Sequence, residues 1–389
     1  MLPIDPATAR ILEIGTSNLM LRAFPERTQL LWTGRKWRAA GNGVAPFSLR
    51  SALQARRDLR AGKYDLVVVW VDPYAPWDFH QLRALFDRPY RPLASLIRIF
   101  GVQALRFFPK SVPVIAVDME DSRTISRHSH FLFERVRYFF KRELPVDRWQ
   151  VFQHSAHPGM PGSRFRRQPK FRRRINLLRP ITLGCSPAGP IAADAPFPEK
   201  TSDVFAAVTL EGGTTVRNEG LKQLRALADA GLRIDLPTER LSPKEFQRRM
   251  AAAWLTWSPE GLGWQCFRHY EAPLAFSIPL INEPTIARYR PLIDGVHAFY
   301  YQPDDPESLG RVIRAALADQ ERLRAMAAAA RSLVLANHVL PQPLADALLR
   351  MGLGLEEAPG GVELEIGSQV DRAIDGVAEQ RKKFKKSSA

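Results

Sequence analysis

The chain has 389 residues, of which 45% are hydrophobic, enough for two domains that each have a core of their own. Its formal net charge is +16, and its two cysteines, Cys185 and Cys266, are too distant in sequence to indicate a disulfide framework or a zinc site. The N-terminus scatters charges where a signal peptide would have its apolar core, and no run approaches the roughly 18 apolar residues of a membrane span. We therefore expect a soluble protein in a reducing compartment, the cytoplasm.

The first part of the chain alternates strand-like and helix-like segments. Apolar runs without polar alternation indicate strands that are covered on both faces of a sheet. The amphipathic segment Leu49–Gly62 predicts a helix between two of these runs. The alternation predicts a doubly wound α/β domain over residues 1–152. The four predicted strands are residues 10–16, 65–71, 112–118 and 137–142.

Residues 153–200 break the alternation and predict a connector rich in proline and arginine. Within it, Arg164–Arg174 carries seven basic residues of eleven, and near the C-terminus Arg381–Lys386 carries five of six. Such segments can bind an anionic membrane surface, at about 1 kcal/mol per basic residue, or nucleic acid, or they can be solvated without a partner. Nucleic acid is the weakest of these alternatives, because the chain lacks the aromatic-on-strand pattern of an RNA-binding module.

A second alternating series follows and predicts a second α/β domain over residues 201–340. Its helix after Ser242 has a capping box, with Pro243 at the first helical position and Glu245 at the third. Residues 341–389 are expected to form a C-terminal helix and a basic tail. The predicted strands of this series are residues 203–209, 232–236, 254–257 and 278–281, and the other predicted helices are 221–231, 267–276 and one beginning at Asp305.

The stretch "EGLGWQCFRHYE" (Glu260–Glu271) lies between a predicted strand and a predicted helix. In a parallel sheet, the loop that leaves a strand opens at the carboxyl edge, and the next helix directs its positive end towards an anion there. Gly261 and Gly263 allow backbone to approach a ligand closely. The stretch predicts a site for a phosphate-bearing ligand, with an ordinary glycine-containing turn as the alternative.

The segment Ser258–Leu317 resembles the donor-binding domain of GT-B glycosyltransferases, in the group-1 and spore-maturation-type branch. The resemblance lies in a Ser-x-x-Gly-x-Gly loop from Ser258, the Arg-x-x-Glu pair of Arg268 and Glu271, and a later Pro-Glu-x-Leu helix. The segment "VDMEDSR" (Val117–Arg123) is similar to part of the N-terminal domain in that branch. The resemblance implies an α/β fold with two Rossmann-like, doubly wound domains that face a cleft.

The resemblance also implies a role for Glu271, as the carboxylate that binds the donor ribose hydroxyls. Many relatives carry a second glutamate eight positions earlier, in an E-x7-E pattern, but this chain has Gly263 there and its nearest glutamate is Glu260. The sugar-positioning role of that glutamate, and the choice between a retaining and an inverting reaction, therefore stay open.

Two loops supply cations for a donor diphosphate. Arg268 is in the first turn of a helix, where an arginine opposes the helix dipole and needs another reason to be present. The loop after the second domain's first strand contains Gly212 and Gly213, followed by Arg217 and Lys222. Two such loops would clamp a pyrophosphate without a metal ion. The predicted donor-binding set is Gly212, Gly213, Arg217, Lys222, Ser258, Glu260, Gly261, Gly263, Arg268, His269 and Glu271, with His269 either contacting the sugar or structural.

An inverting reaction also needs a base from the first domain. The sequence "DMED" places Asp118, Glu120 and Asp121 at the carboxyl end of a predicted strand, and we take Asp118 and Glu120 as the base candidates. The same acids could instead cap a following helix. No set of His, Cys and carboxylate residues has convincing metal-ligand spacing, so we predict no metal site.

These patterns predict a metal-independent glycosyltransferase that uses a nucleotide sugar as co-substrate and no other cofactor. The acceptor is a saccharide, a lipid-linked saccharide or a protein, as in polysaccharide biosynthesis, and the basic segments could hold the enzyme at the inner membrane face. Two alternatives remain: a non-catalytic GT-B-like protein that binds a glycan or nucleotide, and a basic nucleic-acid-binding protein.

Overall fold

The computed structural model describes residues 4–34, 43–71, 100–153, 171–187, 192, 195–208 and 214–359. The chain divides into two compact units, Met1–Pro359 and Gly360–Ala389, and the second lies outside the described residues. The first unit contains two parallel sheets, each covered by helices. In this part of the chain no helix is long and apolar enough to cross a membrane.

The first sheet has seven strands in the order β3-β2-β1-β4-β5-β6-β7, and every pairing in it is parallel. The order reverses between β1 and β4, as in doubly wound folds. The strands are β1 Ile11–Gly15, β2 Thr28–Trp32, β3 Val44–Pro46, β4 Leu66–Trp70, β5 Val114–Asp118, β6 Tyr138–Lys141 and β7 Leu178–Pro180. The α-helices of this region are α1 Leu19–Ala23, α2 Leu49–Arg60 and α3 Arg172–Ile175, with 3-10 turns at Pro25–Arg27, Ala104–Phe107, Arg127–Glu134 and Arg148–Phe152.

Both faces of this sheet are buried, as the unbroken apolar runs predict. In β4 all five residues are buried, with Val67 and Val69 in one apolar cluster and Val68 and Trp70 in the cluster on the other face. Side chains of this size each contribute roughly 1.5–3 kcal/mol on full burial. The strands over residues 10–16, 65–71, 112–118 and 137–142 are confirmed within a few residues.

A carboxylate interrupts the apolar interior of this sheet. Glu13 in β1 accepts hydrogen bonds from the backbone N–H groups of Met20 and Leu21 and from the indole N–H of Trp70. It thereby binds the first N–H groups of α1, which have no partner within the helix. Burial raises the pKa of Glu13 to about 7, against the effect of these three donors.

The second sheet has five parallel strands in the order β12-β11-β10-β8-β9. The strands are β8 Ser202–Phe205, β9 Ile234–Asp235, β10 Ala253–Trp257, β11 Ile278–Asn282 and β12 Phe299–Tyr301. The helices are α4 Thr215–Asp229, α5 Pro243–Ala251, α6 Arg268–Leu274, α7 Ser308–Leu317, α8 Gln320–Asn337 and α9 Gln342–Leu353. Ser242 caps α5 as predicted, whereas α4 begins at Thr215 rather than at Leu221.

Two segments outside the predicted first domain, residues 1–152, pack with its sheet. The described part of the connector forms β7, which extends the first sheet to Pro180. Helix α9 returns to that sheet, where Leu344, Leu348 and Leu349 are buried beside Leu66 and Ile115 of β4 and β5. The first domain therefore includes residues on both sides of the second domain in sequence.

The carboxyl ends of the two sheets face each other. Arg123, after β5, donates to the Thr285 hydroxyl after β11 at 2.9 Å. Glu143, after β6, accepts from the backbone N–H of Trp264 after β10 at 2.8 Å. This arrangement confirms the predicted α/β fold with two Rossmann-like domains that face each other.

Candidate functional site

The loop from Ser258 to Phe267 joins β10 to α6 at the carboxyl edge of the second sheet. The neighbouring strand β11 holds its first part. The backbone N–H of Ser258 donates to the Leu280 carbonyl, and Asn282 both accepts from the Glu260 N–H and donates to the Glu260 carboxylate. Glu260 therefore fixes the loop at the end of β11, which leaves its carboxylate less available to a ligand.

Arg217 reaches this loop from the first turn of α4. Thr214 caps that helix by accepting from the Arg217 N–H at 3.4 Å, and the Arg217 side chain donates from Nε to the Glu260 carbonyl at 2.9 Å. A Cβ atom at Gly261 would lie only 2.8 Å from Nη2 of Arg217. A side chain at this position would displace the end of the Arg217 guanidinium from its present contact with the loop.

Arg268, at the start of α6, lies beside Arg217. It donates from Nη1 to the Ala207 carbonyl just after β8, at 2.9 Å, and its buried Nε has no hydrogen-bond partner among the described residues. Burial and the Arg268 charge both lower the pKa of Arg217. Neither guanidinium forms an ion pair with a described carboxylate, although the charge of Glu260 acts on Arg217 and that of Arg268 acts on Glu271 over a longer distance.

Glu271 lies one helical turn beyond Arg268. Its carboxylate is half-buried, and no hydrogen bond or ion pair joins it to a described residue. Burial raises the pKa of Glu271, and the Arg268 charge opposes that rise. A partly buried carboxylate with unused acceptor sites can accept two vicinal hydroxyl groups.

His269 has a structural position. Cys266 donates its backbone N–H to Nδ1 at 3.5 Å, and Nε2 lies 3.0 Å from the Ser258 carbonyl, which requires the proton on Nε2. Burial lowers the pKa of His269 to about 3, so the ring is neutral at pH 7. Both ring nitrogens are engaged with backbone, and the histidine holds the two ends of the loop together. The Ser258 hydroxyl is buried and has no described partner.

Gly263 lies where the first domain touches the loop. A Cβ at this position would be 2.7 Å from Cδ of Glu143 and 2.9 Å from Oδ1 of Asp121. No side chain fits there without moving these carboxylates. Two carboxylates of the first domain therefore border the position at which the E-x7-E pattern has its first glutamate.

Sequence reasoning missed Glu143 and Gln265, which join the two domains. Glu143 is buried and accepts from the backbone N–H groups of Trp264 and Gln265 at 2.8 and 3.1 Å. The Gln265 amide donates to the Arg142 and Ile181 carbonyls and accepts from the Leu183 N–H and the Tyr270 hydroxyl. The only available signal was Gly263 itself, because a glycine can mark close approach by another segment.

The first-domain base candidates lie at the carboxyl end of β5, as predicted. Asp118 is buried and forms an ion pair with Lys141 of the adjacent strand β6, at 3.1 Å, where Lys141 is fully buried. Asp118 also accepts the backbone N–H of Glu120 at 3.1 Å. These contacts restrain Asp118 and keep it away from solvent, so it is poorly placed to reach an acceptor.

Lys222 does not join the arginine pair. Lys222 is exposed on α4 and forms a surface ion pair with Glu219 at 2.8 Å. Lys222 lies on a different face of α4 from Arg217, because the helix turns by about 100° per residue. Gly212 and Gly213 lie outside the described residues. Within the described ranges, no group of three or more His, Cys, Asp or Glu residues could hold a metal ion.

Neither a protein-family model nor a curated protein sequence matches the chain. Solved structures do match its backbone. A glycosyltransferase from Rickettsia africae has a TM-score of 0.49 and 9% identity, over 90% of this chain and 100% of that chain. HepE from Anabaena in complex with UDP has a TM-score of 0.44 and 13% identity, over 85% and 96% of the two chains.

MurG from Acinetobacter baumannii has a TM-score of 0.41 and 12% identity, over 88% of this chain and 99% of that chain. With TM-scores below 0.5, none of these superpositions assigns a role to a residue of this chain.

Proposed function

We propose that the chain is a metal-independent glycosyltransferase that takes its sugar from a nucleotide-sugar donor. The observation that carries this proposal is the arginine pair, Arg217 and Arg268, beside the glycine-containing loop at the carboxyl edge of the second sheet. Two partly buried guanidinium groups that form no ion pair with a described carboxylate suit an anionic ligand. A donor diphosphate matches their number, their charge and their position at the edge where parallel sheets bind ligands.

The arginine pair also suits the chemistry of the leaving group. Glycosyl transfer builds up negative charge on the departing nucleoside diphosphate, and fixed cations stabilise that charge more in the transition state than in the ground state. Removing one group of this kind commonly costs about 10²–10³ in turnover. The pair supplies two positive charges at this point, which is the basis for proposing that no metal ion is required.

Glu271 is proposed to bind the donor ribose. Its carboxylate is half-buried next to Arg268 and has no described partner, so it can accept from the two vicinal hydroxyls. On this proposal the diphosphate lies between the two arginines and the nucleoside extends along α6. The acceptor, which is a saccharide, a lipid-linked saccharide or a protein, approaches from the first domain.

The wider context is part of the same proposal. Polysaccharide biosynthesis at the inner membrane face of the cytoplasm would suit a transferase with basic segments at Arg164–Arg174 and Arg381–Lys386. Of these, Phe171–Arg174 lies within the described chain, where Arg172 and Arg173 are exposed. The remaining residues of both segments lie outside it. The assignment to the spore-maturation-type branch stays a prediction.

The test measures thermal unfolding with UDP, GDP, ADP and CMP and with their sugar conjugates, in EDTA, for wild type and for Arg217→Ala, Arg268→Ala and Glu271→Ala. A ligand at 100 times its Kd adds about 2.7 kcal/mol to the free energy of unfolding. We expect one nucleotide to stabilise the wild type in EDTA, and each variant to bind it roughly 10- to 100-fold more weakly. Arg225→Ala is the matched control, because Arg225 is exposed on the same helix as Arg217.

Two results would contradict the proposal. Absence of stabilisation by every nucleotide, in a protein that unfolds cooperatively, would remove the donor site. Selective binding without release of nucleoside diphosphate, for any acceptor supplied, would instead favour the non-catalytic GT-B-like binding protein.

A further inference from the structure

A cluster of charged side chains of the first domain lies against the loop from Ser258 to Phe267, which we call the donor loop. It consists of Asp121 after β5 and of Arg142 and Glu143 after β6. Arg142 forms ion pairs with Asp121 and, from Nε at 3.4 Å, with Glu143. Its backbone N–H donates to the Asp118 carbonyl at 2.9 Å. The guanidinium is therefore fixed between two carboxylates.

Three hydrogen bonds join this cluster to the loop that precedes α6. Glu143 accepts the backbone N–H groups of Trp264 and Gln265, and the Arg142 carbonyl accepts from the Gln265 amide at 2.6 Å. The position of the cluster relative to the donor loop is thus set by direct contacts. Any group that Arg142 orients is oriented with respect to the donor as well.

The carboxylates near this loop differ in their access to solvent. The side chain of Asp118 is 5% exposed and that of Glu143 is 1% exposed, whereas that of Asp121 is 49% exposed. Asp121 is also the carboxylate whose Oδ1 would lie 2.9 Å from a Cβ at Gly263, so it borders the glycine at the donor loop. Of the three carboxylates, Asp121 is the one that both borders the loop and is open to a substrate.

We infer that Asp121 is the general base that deprotonates the acceptor hydroxyl, and that Arg142 and Glu143 are positioning residues that hold it against the donor loop. This inference rests on the proposed function. It assigns the base role to a neighbour of Asp118, whose own carboxylate is buried in the ion pair with Lys141.

The reaction step is a single displacement. The acceptor hydroxyl oxygen forms a bond to the anomeric carbon while the bond from that carbon to the diphosphate oxygen breaks. The electron pair of the broken bond leaves with the nucleoside diphosphate, beside Arg217 and Arg268, and the hydroxyl proton goes to the Asp121 carboxylate and then to solvent. The anomeric configuration inverts.

The experiment compares wild type, Asp121→Asn and Asp229→Asn, using the nucleotide sugar that the thermal panel selects. Water serves as the acceptor, and release of nucleoside diphosphate is measured beside Kd for the nucleotide and the anomeric configuration of the product. Asp229 is an exposed aspartate on the last turn of α4. We expect D121N to keep the wild-type Kd but to lose about 10²–10⁴-fold in release. D229N should match wild type, and the product should be inverted.

Release by D121N within a few-fold of wild type would overturn the inference, and so would a retained anomeric configuration. A structure of D121N with the nucleotide sugar gives a test that does not need turnover. Residue 121 should lie within direct reach, or one water, of a hydroxyl or water beside the anomeric carbon. A side chain directed away from the sugar would overturn the inference. Failure of the proposed function is separate, because it appears as absence of nucleotide binding by wild type.

Discussion

The carboxyl edges of the two sheets face each other, and they differ in how their charged side chains are paired. On the second-domain edge, Arg217 and Arg268 lie side by side without a described carboxylate as ion-pair partner. On the first-domain edge, Asp118 is paired with Lys141, and Arg142 lies between Asp121 and Glu143. The acids and bases of the first edge pair with one another, whereas the arginine pair of the second edge is proposed to bind an external anion. Charged side chains without an ion-pair partner in the protein therefore indicate a ligand site more directly than the presence of charged side chains does.

The largest expected effect comes from breaking the buried pair of the first edge. Lys141→Met leaves Asp118 as an uncompensated buried charge and is expected to cost about 3–5 kcal/mol of unfolding free energy. The double variant K141M/D118L removes both charges and should recover most of that loss. Urea denaturation of the three proteins measures both values. A cost below about 1 kcal/mol for K141M would show that Lys141 does not compensate a buried charge on Asp118.

Glu13 of β1 is a buried acid of another kind from Asp118. It has hydrogen-bond donors but no cation beside it among the described residues. Burial raises its folded pKa to about 7, above the ordinary value of 4.5. A raised folded pKa gives stability that is fully present below the unfolded pKa and is lost as pH rises through the folded pKa. The loss should be about 3 kcal/mol at most between pH 4.5 and pH 8.

Glu13→Gln removes this titration, so its stability should vary less with pH over the same range. Chemical denaturation of both proteins at pH 5, 6, 7 and 8 measures the difference. Parallel pH profiles for wild type and E13Q would contradict the raised pKa.

A smaller effect is expected where the two edges touch. Gly263→Ala places a Cβ 2.7 Å from the Glu143 carboxyl carbon, and overpacking of this kind costs about 1–3 kcal/mol. In the double variant G263A/E143A the clash with Glu143 is absent and only the approach to Asp121 Oδ1, at 2.9 Å, remains, so the two costs should not add in full. A double-mutant cycle in urea measures the coupling. Additive costs would mean that Glu143 does not limit the space at Gly263.

The smallest effect on stability is expected at the arginine pair. Arg217→Met loses the hydrogen bond to the Glu260 carbonyl but also removes the repulsion between the two guanidiniums. We expect the unfolding free energy without ligand to change by less than about 1 kcal/mol. Arg225→Met, exposed on the same helix, is the control. A loss for R217M as large as that for K141M would mean that Arg217 has a structural role like that of the first-edge cations.

The sequence predicts the two-sheet fold because strands buried on both faces of a parallel sheet are typically near-continuous runs of apolar residues. The runs Leu66–Trp70 and Val114–Val117 are unbroken and apolar, and both lie in strands inside the sheet, β4 and β5. Strand β7 escaped prediction because its three residues lie among prolines and arginines. The return of α9 to the first sheet depends on contacts with residues more than two hundred positions earlier, which no local pattern reports.

In the candidate site, too, features with a local sequence pattern could be predicted, and features that depend on distant contacts could not. Arg217 and Arg268 could be brought together by reasoning, because each follows a strand, β8 or β10, and these strands pair directly. Lys222 could not be excluded, since only the course of α4 shows that it points to the surface. The contact of Asp121 and Glu143 with Gly263 joins loops more than 100 positions apart. Its sole trace in sequence is the absence of a side chain at 263.

The most direct test of the central claim is calorimetric titration of nucleoside diphosphates in EDTA into wild type and into the double variant R217M/R268M. We expect wild type to bind one nucleoside diphosphate without metal, and the double variant to lose at least roughly 100-fold in affinity while remaining folded. Equal affinity of the two proteins would show that the arginine pair is not the diphosphate site. Absence of binding by folded wild type would show that the arginine pair does not form a nucleoside diphosphate site.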